Sequence, residues 1–244
     1  MSKESQRQRA EKAAAALREK HRRERRRQIL TVVGVLAAIA LIVGGGFLVN
    51  SLRDPTKDVA EAAPAAGSAS GVTIGDSSAP HKVVVYEDFL CPICGAFEKT
   101  SNTELAELAD AGKVQVEYRP IVVLDRFGPY SDRSALVFGV VLDKAGPEVA
   151  KAFHDLLYDN QPSEDGPYPS EDDLIELAGQ AGADVDVVKA AVATDAATDW
   201  VTAANTAAQR AGVQGTPTVI LDGAPFTTGR NAEELATNLV EAVQ

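Results

Sequence analysis

The chain of 244 residues carries two cysteines, three positions apart, in the run Cys91-Pro92-Ile93-Cys94. Such a pair can exchange disulfides, close a small structural loop, or give two soft ligands to a metal. Its setting favours exchange. Lys82 to Tyr86, KVVVY, is a short apolar and β-branched run that suits a central strand covered on both faces, and it leads straight to the cysteines. Behind them Phe97, Leu105 and Leu108 recur near helical spacing among Glu98, Lys99, Glu104 and Glu107. The sequence therefore predicts a helix running to about Asp110 and ended by Gly112. Cys91 falls at its N-terminus, where free N–H groups and the positive end of the helix dipole stabilise a thiolate. Pro92 takes the first helical position, where a missing N–H costs nothing. Cys91 is assigned as the nucleophile, and Cys94, one turn along, as the resolving thiol that attacks a mixed disulfide and releases the partner. A structural disulfide across so short a loop would remove little chain entropy. A metal would need more ligands, and His81 and His154 are the remaining candidates.

The elements that must hold this pair follow from pattern. Val114 to Tyr118, VQVEY, alternates as a half-buried strand does, and Pro120 closes it. From about residue 130 to 212 the pattern is helical. Pro147 opens one helix with Val149, Phe153, Leu156 and Leu157; Ser170 with Asp173 opens another with Leu174, Ile175 and Leu177. Val185, Val188 and Val192 form a third stripe, and Thr194 or Asp195 caps a helix through Trp200 to about Arg210. Strand signal returns in Pro217 to Leu221; Asp222-Gly223 is a hairpin turn, Ala224 to Thr227 the returning strand, and Asn231 with Glu234 caps a last helix. The order is β-α-β, a helical block, then β-β-α, an α/β core of thioredoxin-like type with a central helical insertion.

Charge divides the rest. Residues 1–28 hold 11 of the 24 Lys and Arg against 4 of the 35 Asp and Glu, net +7, which leaves −18 on the other 216 residues. So acidic a body, with few aromatic residues, does not fit nucleic acid, whose phosphates need clustered Lys and Arg. Ile29 to Val49 is 21 residues without a charge or proline, enough to cross a bilayer core of about 30 Å as a helix. The basic run before it predicts a cytoplasmic N-terminus and an extracytoplasmic body. The n-region and apolar run are longer than those of a signal peptide, and the small-residue triplets Ala60 to Ala62 and Ala63 to Ala65 come late, so an uncleaved anchor is expected. Residues 50–70 are small and Pro/Gly/Ser-rich, a tether with a reach on the order of 25 Å. One domain is expected over 71–244.

The second constellation is Gly215-Thr216-Pro217-Thr218. X-Pro bonds make the cis form accessible, so a proline opening a strand beside a redox pair is a candidate cis-proline. With Phe89-Leu90-Cys91-Pro92-Ile93-Cys94 and Gly215 to Ile220, GTPTVI, in this order around a long helical gap, residues 71–244 resemble the DsbA-like, membrane-tethered branch of the thioredoxin superfamily. The resemblance implies that Pro217 is cis and faces the cysteines, and that Thr216 offers backbone hydrogen bonds to an extended substrate. It implies an oxidase for secreted proteins, needing no metal or organic cofactor and reoxidised by a quinone-linked membrane partner of the DsbB or VKOR type. A reductase or isomerase of the same fold, and a metal chaperone using the cysteine pair, are the rivals.

Two departures stand out. Thioredoxin and DsbA carry a buried carboxylate six residues before the first cysteine, where this chain has Val85. Glu87 and Asp88 lie nearer; Asp88 resembles an acid common in this branch, but both are expected to be solvated or to cap the turn. Ile93 stands where DsbA has His, so the Cys91 thiolate should be less stabilised than DsbA's, with a pKa above about 3.5 but below the free thiol's 8.5 or so. His81 is expected to be exposed, His154 to lie on the polar face of its helix, and Trp200 to pack in the core.

Overall fold

The computed structural model describes residues 71–244, apart from the side chain of Asp195. Strands β1 (Val72–Ile74), β2 (His81–Glu87), β3 (Val114–Pro120), β4 (Thr218–Leu221) and β5 (Ala224–Pro225) form one sheet in the order β1-β3-β2-β4-β5. β2 and β3 run parallel, with Val83 opposite Val116 and Val85 opposite Tyr118. The other three pairings, β1 with β3, β2 with β4 and β4 with β5, are antiparallel. The crossover between the parallel strands is α1 (Pro92–Asp110), as parallel pairing requires. Its end is local chemistry: Gly112, at φ +71°, adopts the left-handed conformation that glycine takes without a Cβ clash.

β2 sits between β3 and β4, which explains why its middle, Val83 to Tyr86, is an unbroken apolar run. Val83 and Val85 point into the main core with Val116, Tyr118 and Val219, against Phe97, Leu105 and Leu239. Val84 and Tyr86 belong to a second cluster with Ile121, Ala208, Ala211 and Ile220 on the opposite face. α1 packs against α7 (Ala232–Ala242), whose N-cap Asn231 accepts the Glu234 N–H at 2.8 Å. Between β3 and β4 lie α2 (Tyr130–Ala145), α3 (Pro147–Asp159), α4 (Glu171–Gln180), α5 (Val185–Val192) and α6 (Asp195–Arg210), with α2 touching the other four. α4 opens with a full Ser170/Asp173 capping box, whereas the Thr194 side chain makes no capping bond to α6.

Three details depart from the sequence pattern. β1 adds an antiparallel strand that no periodicity marked. β3 is buried along all seven residues instead of alternating. Two of its polar positions satisfy each other, since Arg119 grips Glu117 through two bonds of 2.8 Å, and Arg119 also donates to the Tyr86 hydroxyl at 2.7 Å. β5 stops at Pro225, which has no N–H to continue the ladder; only Phe226, donating to Val219 at 2.8 Å, extends the pairing. The turn before it has Asp222 at φ 50° and Gly223 at φ 83°, the two positive values a tight hairpin demands. The apolar segment 29–49 and the tether 50–70 lie outside the described residues; among those described, no helix is long and apolar enough to cross a membrane.

Candidate functional site

β2 ends at Glu87, and the next residues turn the chain onto α1. Asp88 anchors that turn while fully buried: one carboxylate oxygen accepts the Leu90 N–H at 2.9 Å and the Ser131 hydroxyl. The other accepts the N–H groups of Val123 and Leu124 at 2.8 and 3.0 Å. Of the two expectations for Asp88, solvated or turn-capping, the second holds: it caps the turn through the Leu90 N–H and ties it to the loop after β3. Its own carbonyl accepts the Cys91 N–H at 2.9 Å.

Cys91 is the N-cap of α1, and Pro92 follows at the first helical position. The Cys91 sulfur accepts the Cys94 N–H at 3.3 Å and lies 3.6 Å from the Thr216 carbonyl. The Thr216–Pro217 bond is cis. β4 begins just beyond it, so pairing of β2 with β4 brings this loop beside the cysteines across 125 positions of sequence. Cys91, Cys94 and Thr216 therefore converge, with Pro217 next in the chain. Pro92 and Ile93 project outward, Ile93 with 56 % of its surface exposed. A groove of about 460 Å³ runs along residues 211–218 beside the cis bond.

The two thiols differ by environment. A hydrogen bond from the Cys94 thiol is the largest influence on Cys91; with the backbone N–H groups of Cys94 and Ile93 it outweighs burial, and the pKa is pulled down to about 6. That value falls inside the window expected from an apolar Ile93. Cys94 is pushed well above the usual thiol range, first by burial and then by its bond and charge relation to Cys91. One thiol is primed as a thiolate and its neighbour is held neutral.

Beneath the pair is a polar cluster that the sequence pattern misassigned. Glu87 and His154 are both fully buried, with Glu87 Oε1 2.6 Å from His154 Nε2. Asp155 faces the other ring nitrogen at 2.9 Å and binds Lys151 at 2.6 Å. Glu98, from α1, is buried beside them, and among the described residues neither of its oxygens has a hydrogen-bond partner, nor do Glu87 Oε2 and the Tyr118 hydroxyl. Burial, then the nearby Glu87 charge, pushes the Glu98 carboxyl up to about 8. Burial opposes the charged form of His154, but Glu87 and the bonds to Asp155 and Glu87 prevail and push it up to about 10. His154 is thus not on a polar face. The stripe that α3 buries is Ala150, Phe153, His154, Leu157 and Tyr158, and it has the histidine at its centre. Val85, by contrast, is an ordinary core residue.

The arrangement bears on the metal alternative: among the described residues Glu87, Glu98 and His154 bring ligand atoms within 4.8 Å of one another, but neither cysteine joins them. His154 has both nitrogens directed at carboxylates, and the Glu87–His154 contact is a hydrogen bond too short for a metal to sit between those two atoms. His81 begins β2, at the strand end opposite the cysteines, and is half-exposed against Asp222 at 2.9 Å. Trp200 meets Phe138 at a tilted angle, ring centroids 5.7 Å apart, and lines a separate cavity of about 790 Å³ with Val140 and Leu142, away from both cysteines.

A thioredoxin family model matches residues 68–241. The chain belongs to the thioredoxin family. Within it, the chain is 28% identical over 197 residues to a Bacillus cereus protein named probable disulfide bond formation protein D, covering 80% of this chain and 88% of the relative. The oxidised DsbA of Mycobacterium tuberculosis superposes with a TM-score of 0.59 at 29% identity, over 71% of this chain and 92% of that one. Reduced DsbG from the same organism gives 0.60 at 28% identity, over 78% and 92%. The thioredoxin core thus carries a DsbA-like helical insertion.

Proposed function

We propose that this protein is an extracytoplasmic thiol:disulfide oxidoreductase that donates its Cys91–Cys94 disulfide to reduced secreted proteins. The observation that carries the reading is the asymmetry of the pair: a Cys91 thiol lowered to about 6, held between the Cys94 N–H and the Thr216 carbonyl, above a buried neutral Cys94. In the oxidising direction a client thiolate attacks the Cys91 sulfur, the Cys91–Cys94 bond breaks, and Cys94 leaves and takes up a proton. A second client thiolate then attacks the client sulfur of the mixed disulfide and expels Cys91 as its stabilised thiolate. The client loses two electrons and the pair gains them. The Thr216 backbone, beside the sulfur, suits an extended client strand.

The reduction potential separates this from a reductase of the same fold. Equilibration of the full-length chain with glutathione buffers is expected to give a value between about −120 and −180 mV, with the Ile93 departure placing it below DsbA. A value near −270 mV, as in thioredoxin, would assign the chain to reduction. The two differ by several kcal/mol, since about 30 mV corresponds to 1.4 kcal/mol for two electrons.

The same reading places residues 29–49 in the membrane with 1–28 in the cytoplasm and 50–70 as tether, and returns the electrons to a quinone-linked membrane oxidase of DsbB or VKOR type. The support is the 21-residue uncharged run and the net +7 that precedes it. The intact chain is expected to stay with membranes through a carbonate wash. Recovery of a soluble form beginning near Ala62 would overturn the anchor.

A further inference from the structure

Gln161 lies just beyond α3, in the helical insertion, and its side-chain amide reaches back to the redox turn. Nε2 donates to the Phe89 carbonyl at 2.9 Å and to the Cys91 carbonyl at 3.0 Å. Both amide hydrogens are thereby used. The two acceptors flank Leu90, in the stretch between β2 and α1 that no strand ladder holds. The Cys91 carbonyl also accepts the Gly95 N–H at 3.0 Å, a first bond of α1. Gln161 thus fixes the peptide plane that follows Cys91, and with it the backbone from which the sulfur is aimed at the Cys94 N–H.

Gly95 is the counterpart of this contact. A Cβ placed there would lie 2.2 Å from Gln161 Oε1 and 3.0 Å from its side-chain carbonyl carbon. Glycine inside a helix is unfavourable relative to alanine. Its presence in the first turn of α1 has a packing reason, the room in which the amide lies.

We propose that Gln161 is a positioning residue for disulfide exchange, a clamp on the Phe89 and Cys91 carbonyls through which the helical insertion sets the redox poise of the cysteine pair. It acts through the backbone and not on sulfur, and the proposal rests on the thiol-exchange reading above. Loosening the clamp weakens the contact between the Cys91 sulfur and the Cys94 N–H, destabilises the thiolate, and so favours the disulfide.

The test uses the full-length chain, Gln161→Ala, Gly95→Ala and the double variant, equilibrated with glutathione. Gln161→Ala is expected to shift the equilibrium constant about three- to tenfold toward the disulfide, the scale of one or two neutral hydrogen bonds. The pH midpoint of Cys91 alkylation by iodoacetamide should rise with it. Gly95→Ala keeps Gln161 but fills its space, and should shift both readings the same way; in the Gln161→Ala background it should add nothing. A Gln161→Ala chain within twofold of the parent in both readings would overturn the clamp, as would a Gly95→Ala effect that adds fully to it. Should Gln161→Ala not fold by circular dichroism, Gly95→Ala alone decides by the same readings. A parent chain that exchanges nothing with glutathione would sink the exchange reading itself, a result distinct from an unresponsive variant.

Discussion

Replacing Cys91 with serine reduces disulfide exchange by on the order of 10³-fold or more, while Cys94→Ala leaves a protein that captures partners and keeps them. The asymmetry follows from the site. Cys91 is the sulfur nearest the Thr216 carbonyl and the one whose pKa is lowered to about 6, so it forms every intermolecular bond. A serine hydroxyl at the same N-cap would still accept the Cys94 N–H, so α1 keeps its start and the loss is chemical, not structural. In Cys94→Ala the thiolate still attacks a client disulfide, but no sulfur stands one turn along to displace the client. Mixed disulfides on Cys91 then accumulate and appear as reductant-sensitive bands on non-reducing gels. The measurement is oxidation of a reduced test protein beside such gels. Equal exchange rates in the parent and Cys91→Ser, or trapped partners on Cys94 in the serine variant, would reverse the assignment.

That division of labour was legible from sequence because its signals are local. Cysteine spacing, the proline at the first helical position, the strand before and the helix after are all read within about twenty residues, and the Gly215 to Thr218 motif needs four. The helical block and most caps were legible for the same reason, as with the Ser170/Asp173 box. What could not be read depends on contacts between distant segments. Glu87 and His154 are 67 positions apart, and Gln161 and Phe89 are 72. A histidine beside Phe153 reads as polar in a helical pattern, so the apolar stripe takes in Val149 and Leu156, which the structure leaves half-buried, beside Phe153 and Leu157, which it buries. Spacing held the true signal: His154 stands four residues from both Ala150 and Tyr158, inside an i, i+4 row of α3. Likewise Glu98 reads as one of the polar residues of α1, though it lies one position from Phe97 and one turn from Cys94, on the face that packs inward.

The buried cluster also shows why a carboxylate is not missing from this site merely because Val85 stands where other family members have one. Acidic groups approach the pair from two other places, the end of β2 and the second turn of α1. Glu87 is felt electrostatically by Cys94, raising its thiol further after burial and the Cys91 contacts have acted. The groups facing Glu98 are Glu87 from β2, Tyr118 from β3, and Lys151, His154 and Asp155 from α3. Burial first, and then the neighbouring Glu87 charge, hold the Glu98 proton to about 8, while Glu87 contacts His154.

His154→Leu should therefore destabilise the domain by about 3–5 kcal/mol, because it leaves Glu87 buried without its partner. The double variant Glu87→Leu/His154→Leu should recover most of that loss, since an apolar pair has no charge to desolvate. Urea unfolding of the three proteins gives the comparison; a loss below about 1 kcal/mol for His154→Leu would mean that the pair is not charged when folded. The pH dependence supplies an independent check. His154 has a folded pKa near 10, above its unfolded value of about 6.5, so the native state binds more protons between the two. Its contribution is complete below about pH 6.5 and drains away as pH rises toward 10. Glu98 acts in the same direction and lower down, its proton being held to about 8 when folded but released near 4.5 when unfolded. With Cys91 and Cys94 joined as a disulfide, so that the lowered Cys91 thiol adds no opposite trend, the parent domain should lose stability steadily from mildly acid to alkaline pH, and the Leu pair should flatten the upper part of that fall. A parent profile that rises across pH 6.5 to 10 would place the proton elsewhere than on His154.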